Sequence, residues 1–389
     1  MIKVALLTTD SREHFKDYAN PNPYFGTAPE ALLEGFKLLR DEIEVHVISC
    51  LQQPPKSSPS KLADNIYYHG LHVPNIGWMK TGYLGCIRAV RCKLQEIQPD
   101  IVHGQGTERD CAMCAVFSGF PNVVTIHGVM RVIHNLTRDT QRLHYYWFAR
   151  HLETLALRRT CGVIAISPYV EAMAGRLSRR SWLIPNAVRE PFFLTASARQ
   201  RESGPVRLVN VGVISPLKRQ VELLEHLAEL RRTVPFEITF VGKASSSDAY
   251  AQRFARLIAA LQVEHGGFKH VPFLAGQQLL GLYDSADAMV HFSKEESFGL
   301  TFAEALARNL PLFASDVGAI RQIGNGIPAC RIFTTENFPG LMSALKQWIK
   351  TGPEIERQAV PHPLIKSRYH PTSIAEQHLA AYKSLAAFS

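Results

Sequence analysis

The chain has 389 residues and a formal net charge of +9, a length that fits two or three domains at about 150 residues each. With 46% hydrophobic and 20% charged residues it is neither disordered nor low-complexity, and no apolar run reaches the roughly 18–20 residues of a membrane span. The opening "MIKVALLTTDSREHF" lacks the long apolar core and cleavage site of a signal peptide, so the expected location is cytoplasmic.

Short Val/Ile/Leu-rich runs alternate with amphipathic stretches, the pattern of buried parallel strands in α/β units. The first run, "KVALLTT", is followed by "NPNPYF", Gly26 and the helical pattern "APEALLEGFKLLR". Gly26 stands at a helix mouth, where free N–H groups and a partial positive charge suit phosphate; the other reading is a turn glycine with Thr27 as the cap. "EVHVISC" is the next strand, and the break "LQQPPKSSPSK" follows. Two strands then end in histidine before glycine, "DIVHG" at His103 and "VVTIHG" at His127. Such a histidine can bind a sugar hydroxyl or move a proton, or simply be a satisfied rim residue; His127 is the functional choice. Seven cysteines without framework spacing fit a reducing compartment. Cys111 and Cys114 form a C-x-x-C with no second ligand pair at matching spacing, and read as helix-packing residues.

Residues 131–160 mix Arg131, Arg138, Arg142, Arg150, Arg158 and Arg159 with Tyr145, Tyr146, Trp147 and Phe148; the stretch "KTGYLGCIRAVRCKLQ" adds Lys80, Arg88, Arg91 and Lys93. The charge surplus favours anionic partners. These stretches suit an anionic membrane surface, an anionic acceptor or nucleic acid, or helices that pack aromatics on a sheet with arginines in water. "GVIAIS" and "SWLIPN" complete the first half. Residues 186–205 have no period and read as an interdomain linker.

In the second half the strands are "VRLVNVGVI", "FEITFVG", "KHVPFL", "AMVHFS" and "LPLFAS". Ligands of such sheets bind beyond the carboxyl ends of the strands, which places the expected site in a cleft between two domains. Lys218 and Arg219 follow the first of these strands at a helix opening. Positive charge there opposes the helix dipole unless an anion shares the site, so the pair reads as a phosphate clamp or as a solvated basic pair. Gly242 ends "FEITFVG", either for close ligand approach or as a turn. The most informative stretch is "EESFGLTFAEAL", 295–306. Free N–H groups around Gly299 would seat a diphosphate. Glu304 can accept both hydroxyls of a ribose diol, and Glu296 a hydroxyl of a sugar beyond the diphosphate. Taken singly, each acid could instead be a solvated helix residue or a cap.

This segment resembles the signature of GT4-type retaining glycosyltransferases: an acid, seven residues, a second acid, with Phe-Gly-Leu between and Ala after. "VNVGVISPLK", "HVPFLAGQQLLGLYDSADAMVHFS", "IPNAV" and "VVTIHG" are similar to further elements of that family, so the resemblance covers nearly the whole chain. It implies the GT-B fold: two Rossmann-like, doubly wound parallel-sheet domains facing across a cleft. The acceptor-side domain would be 1–190 plus a returning helix at 368–389, and the nucleotide-sugar domain 205–367. The implied activity is hexosyl transfer from a nucleotide-diphosphate sugar, UDP favoured over GDP, to an acceptor hydroxyl with retention of configuration. Glu304 would bind ribose and Glu296 the sugar. Phe298, Gly299 and Leu300 would supply backbone donors. Lys218 would neutralise the departing diphosphate, whether or not Arg219 replaces a family cation, and His127 would meet the sugar near the reacting carbon. Gly26, Gly212 and Gly242 would lie against the donor.

Val213 stands where the family usually carries Arg after the glycine, and only Gly26 stands where paired glycines are usual. No Asp-x-Asp occurs at a strand end, and "DSAD" at 284–287 has the wrong spacing, so neither metal nor cofactor is expected beside the donor. The acceptor is open: a glycan, a lipid-linked or a small molecule, with peripheral contact to anionic membrane. The runner-up reading is an inactive GT-B scaffold binding nucleic acid or membrane through its basic surface.

Overall fold

A computed structural model describes every residue except 137–142, 196–198, 201–203, 275, 353–355 and 388–389. Arg138, Arg142 and parts of the 186–205 linker lie outside the described residues. The chain divides into two compact units: Met1–Arg189 with Tyr369–Ser389, and Glu190–Arg368.

Among its described residues the first unit holds strands β1 Ile2–Leu7, β2 Ile43–Leu51, β3 Lys61–Ala63, β4 Ile66–His72, β5 Ile101–Gln105, β6 Asn122–Ile126, β7 Gly162–Ala165 and β8 Ser181–Leu183. Their order in the sheet is β3-β4-β2-β1-β5-β6-β7-β8. All pairs are parallel except β3 with β4. Strand order reverses between β1 and β5, the switch point beyond which α/β sheets bind ligands. The β3–β4 hairpin has no counterpart in the apolar runs. Exposure alternates along β4, so its Tyr67, His69 and His72 break the continuous pattern of a buried strand.

The helix Pro371–Ala386 returns to this unit and packs on the helix Thr27–Leu38. A Cβ on Gly35 would lie 2.2 Å from the Pro371 carbonyl oxygen, so the two helices meet backbone to backbone. Phe36 packs on Tyr382, ring centroids 6.2 Å apart.

The second unit has strands β9 Arg199–Gln200, β10 Val206–Val211, β11 Phe236–Val241, β12 Phe268–Val271, β13 Ala288–His291, β14 Leu312–Ser315, β15 Cys330–Phe333 and β16 Glu356–Arg357. The main sheet is parallel, in the order β12-β11-β10-β13-β14-β15; β9 and β16 form a separate antiparallel pair. Phe236, Phe240, Phe254, Phe268, Phe292 and Phe313 are fully buried between sheet and helices. Burying each such ring contributes about 1.5–3 kcal/mol. Strand order reverses between β10 and β13, and the loops after those two strands carry Lys218 and the double-acid segment.

Candidate functional site

After β13 the chain turns through 292–298 and enters the helix Leu300–Ala307. Gly299 is its N-cap, with φ of +101° and no side-chain cap bond. Only glycine takes this left-handed conformation at no cost, and a Cβ here would also strike the Phe302 ring at 2.3 Å. A helix leaves its first N–H groups without internal partners, and the N–H groups of Leu300 and Thr301 meet no acceptor among the described residues. Phe298, 3% exposed, fixes the turn by burial. Asn309, with φ of +54°, ends the helix before Pro311, a common helix stop. Glu304 is 2% exposed, which removes the reading of a solvated helix residue.

Lys218 sits in the turn after β10, its N–H bonded to the Ser215 carbonyl at 3.0 Å. Its ammonium donates to the Glu296 carboxylate. The loops carrying them are also tied through the backbone, Lys294 N–H to the Leu217 carbonyl at 2.7 Å. Cation and acid are thus paired at the strand-order reversal, on the loops that precede the open helix mouth.

Arg219 does not join them as the second arm of a clamp. Its backbone is left-handed, φ +55°, which turns consecutive side chains apart. The guanidinium donates to the Thr335 carbonyl at 2.7 Å and stacks 4.7 Å from the Phe338 ring. Left-handed backbone costs a non-glycine residue roughly 1–2 kcal/mol, and these contacts hold it. Gln220 staples the same loop, accepting from Ser215 N–H at 3.2 Å and donating to the Val213 carbonyl at 3.0 Å. Arg219 is an anchor of the Lys218 turn.

Parallel register sets Val211 beside Val241, so Gly212 and Gly242 emerge together. A Cβ on Gly242 would fall 1.9 Å from the Gly212 carbonyl oxygen; packing within the protein alone demands this glycine. On Gly212 it would fall 3.2 Å from His291 Nε2, a fully buried atom without a hydrogen-bond partner among the described residues. Burial, then the Lys218 charge, hold the His291 pKa well below its usual value. Neither His291 nor Gly318 stood out in the sequence. Gly318, φ +55°, follows β14, and a Cβ there would lie 1.8 Å from the Glu296 carbonyl oxygen. The acids of "DSAD" are occupied: Asp284 takes Arg308 bidentately at 2.8 and 2.7 Å, and Asp287 accepts from Arg207 N–H at 2.8 Å.

In the first unit the two strand-end histidines part. His103 is fully buried, 2.5 Å from the Tyr382 hydroxyl and 2.7 Å from the Thr125 hydroxyl; it is a core residue. His127 is half-buried, and its Nε2–H donates to Gln105 Oε1 at 2.8 Å. Beside it, Glu108 folds back between two glycines: a Cβ on Gly106 would lie 2.3 Å, and one on Gly128 3.3 Å, from its carboxylate oxygens. Burial raises the Glu108 pKa to about 7, with the nearby Glu153 adding to the rise against backbone N–H donors. The signal that could have found Glu108 is its place three residues after a strand at the first unit's own switch point.

Burial, helped by His378, lowers the His127 pKa to about 4. His127 is therefore neutral at pH 7, a hydrogen-bonding group and not a cation. Its folded pKa lies below the unfolded value, so the stability it preserves is present above about pH 6.5 and lost as pH falls through 4. Histidine-selective NMR should find its ring unprotonated down to about pH 5; half-protonation near pH 6.5 would contradict the buried environment.

Gly26 is the N-cap of the helix Thr27–Leu38, with Thr27 already inside it, so Thr27 is not the cap. Its φ is −63°, and a Cβ would meet only Pro29 at 3.8 Å. Unlike Gly242 and Gly299, this glycine is not required by the fold. The aromatics of the helix Leu143–Arg159 are not all packed on the sheet: Tyr145, Trp147 and Phe148 are exposed. The Tyr145 hydroxyl donates to the Glu108 carbonyl at 2.8 Å, tying this surface to the Glu108 loop.

Among the described residues, no helix is long and apolar enough to cross a membrane. Residues 195–351 match the family "Glycosyl transferases group 1", and residues 36–190 match "Glycosyltransferase Family 4". Glycogen synthase of Mycobacterium tuberculosis is 29% identical over 235 residues, 57% of this chain and 53% of that protein. The match thus spans about half the length of that relative. D-inositol 3-phosphate glycosyltransferase of Nocardia farcinica is 39% identical over 116 residues, 28% of this chain and 25% of that protein. Among solved structures, sucrose-phosphate synthase from Thermosynechococcus elongatus superposes with a TM-score of 0.75 at 18% identity, covering 100% of both chains. HepE of Anabaena, solved with UDP and glucose, gives 0.70 at 16% identity over 99% of this chain and 100% of that one. Two family matches that tile most of the sequence, one on each parallel-sheet unit, place the chain in the GT4-type glycosyltransferases with the GT-B fold.

Proposed function

We propose that the protein moves a hexose from a nucleotide-diphosphate sugar, with UDP favoured as the nucleotide, to an acceptor hydroxyl with retention of configuration and without a metal. The observation that carries this reading is the Lys218–Glu296 pair at the β10/β13 reversal, with the open helix mouth at Gly299 following it. The bond from the anomeric carbon to the diphosphate oxygen breaks, and negative charge grows on the leaving phosphate. Lys218 and the N–H groups of Leu300 and Thr301 are donors suited to that charge; preorganised donors of this kind account for most of the rate enhancement in many enzymes. Glu296, released from Lys218 when the diphosphate arrives, accepts a sugar hydroxyl. Glu304 accepts the ribose diol. The acceptor proton passes to the departing phosphate as the new bond forms on the same face.

Val213 is 61% exposed where the family usually has Arg, so Lys218 is the principal cation for the diphosphate and Arg219 is not its replacement. In the first unit, neutral His127 and Gly26 would meet the donor. Glu108 and the exposed Tyr145, Trp147 and Phe148 would face the acceptor, whether glycan, lipid-linked or small molecule, in the cytoplasm and with peripheral contact to anionic lipid. HepE is also solved with UDP-glucose, which supports UDP.

A thermal-shift screen against UDP-, GDP- and ADP-sugars tests the reading. The donor at 100 times its dissociation constant should stabilise the protein by about 2.7 kcal/mol. No shift with any nucleotide sugar would overturn it.

A further inference from the structure

We propose that Cys50, Cys86 and Asp110, with Cys114 completing the set, form a buried zinc site in the first unit. Three separate elements converge there. Cys50 lies near the end of β2, Cys86 in the first turn of the helix Leu84–Ile97, and Asp110 and Cys114 four residues apart on the helix Asp110–Val116. The two sulfurs and a carboxylate oxygen of the first three all lie within 4.8 Å of one another. A zinc tetrahedron with Zn–S of about 2.3 Å has sulfur–sulfur edges of about 3.8 Å, so a contraction of roughly 1 Å or less closes these three around an ion, with Cys114 the candidate fourth ligand. Cys114 lies beside this group, next to Cys50 and Cys86 but outside the 4.8 Å set. Cys111, the other half of the C-x-x-C, instead contacts Thr9. The ligand set is therefore drawn from three separate stretches of the chain, with only Asp110 and Cys114 locally spaced.

The chemistry of these side chains favours a soft divalent ion. Cys50, Cys86, Asp110 and Cys114 are all buried, and a buried carboxylate is costly unless its charge is paired. Thiolates select zinc over magnesium or calcium. Binding releases the thiol protons of Cys50, Cys86 and Cys114 to solvent. The ion, the three thiolates and the Asp110 carboxylate then carry a net negative charge, opposed by the neighbouring Arg109. With four protein ligands the site is closed, as structural zinc sites are. It would clamp β2 and the helix Leu84–Ile97 to the loop that carries Glu108, two residues before Asp110.

The test uses the full chain purified without a metal-chelating resin. Elemental analysis should find about one zinc per chain. Cobalt added to stripped protein should give a sulfur-to-cobalt charge-transfer band that zinc abolishes and magnesium does not. Cys50→Ala and Asp110→Asn should each lower zinc affinity roughly tenfold or more. Cys92→Ala, an exposed cysteine, should leave it unchanged. Failure of wild-type protein to take up zinc or to give the cobalt band overturns the proposal, whatever the variants do. So does a Cys50–Cys86 disulfide found by mass spectrometry in the protein as purified.

Discussion

Replacing Lys218 with alanine should lower sugar transfer by a factor of about 10²–10³ while the protein stays folded. The Lys218 side chain is 22% exposed and the Glu296 side chain 13%, so removing one partner leaves the other largely buried and should also lower stability. The larger loss is in the reaction, where one positive charge meets a leaving group that gains negative charge. Glu296→Gln keeps the shape and loses the charge, and should lower transfer by a comparable factor while weakening discrimination among sugars. Because the two side chains act together, the double variant should lose much less than the product of the single losses. The measurement is kcat/KM for transfer or donor hydrolysis, beside a denaturant midpoint to confirm folding. Activity within a few-fold of wild type in both single variants would remove these residues from the site.

Gly318→Ala should be the most damaging small change in the second unit. At φ of +55° any side chain is strained, and its Cβ would sit 1.8 Å from the Glu296 carbonyl oxygen. Strain and overlap together should cost about 2–4 kcal/mol, and relief of the overlap must push the Glu296 loop away from Lys218. Stability and activity should therefore fall together. Gly266→Ala is the control: φ is +64° and nothing lies within 4 Å of its Cβ position. It should cost about 1–3 kcal/mol and leave transfer unchanged. Equal effects in the two variants would mean that Gly318 does not position Glu296.

The alternation of apolar runs and amphipathic stretches made the two parallel sheets legible, because buried parallel strands are apolar on both faces. Strand β4, between β3 and β2, was not, since half of its side chains meet water. The double-acid segment was legible because acids, turn and helix mouth are adjacent in the chain. Gly318 was not, since its partner Glu296 is reached only after another helix and strand. Lys218 and Arg219 read as one clamp because they are neighbours; the left-handed backbone at 219 separates them. Glu108 is marked only by its place after β5 at the switch point, and the two glycines that make room for its carboxylate come from different strand ends.

The returning helix Pro371–Ala386 sets an order of synthesis. The second unit, Glu190–Arg368, is wholly translated before the first unit receives the helix that covers Phe36 and supplies Tyr382 to His103. At about 5–20 residues per second, the first unit waits roughly 10–40 s with an apolar groove open and a buried histidine lacking its phenol. The domain begun first is finished last, and during that interval it is the part of the nascent chain most in need of a chaperone.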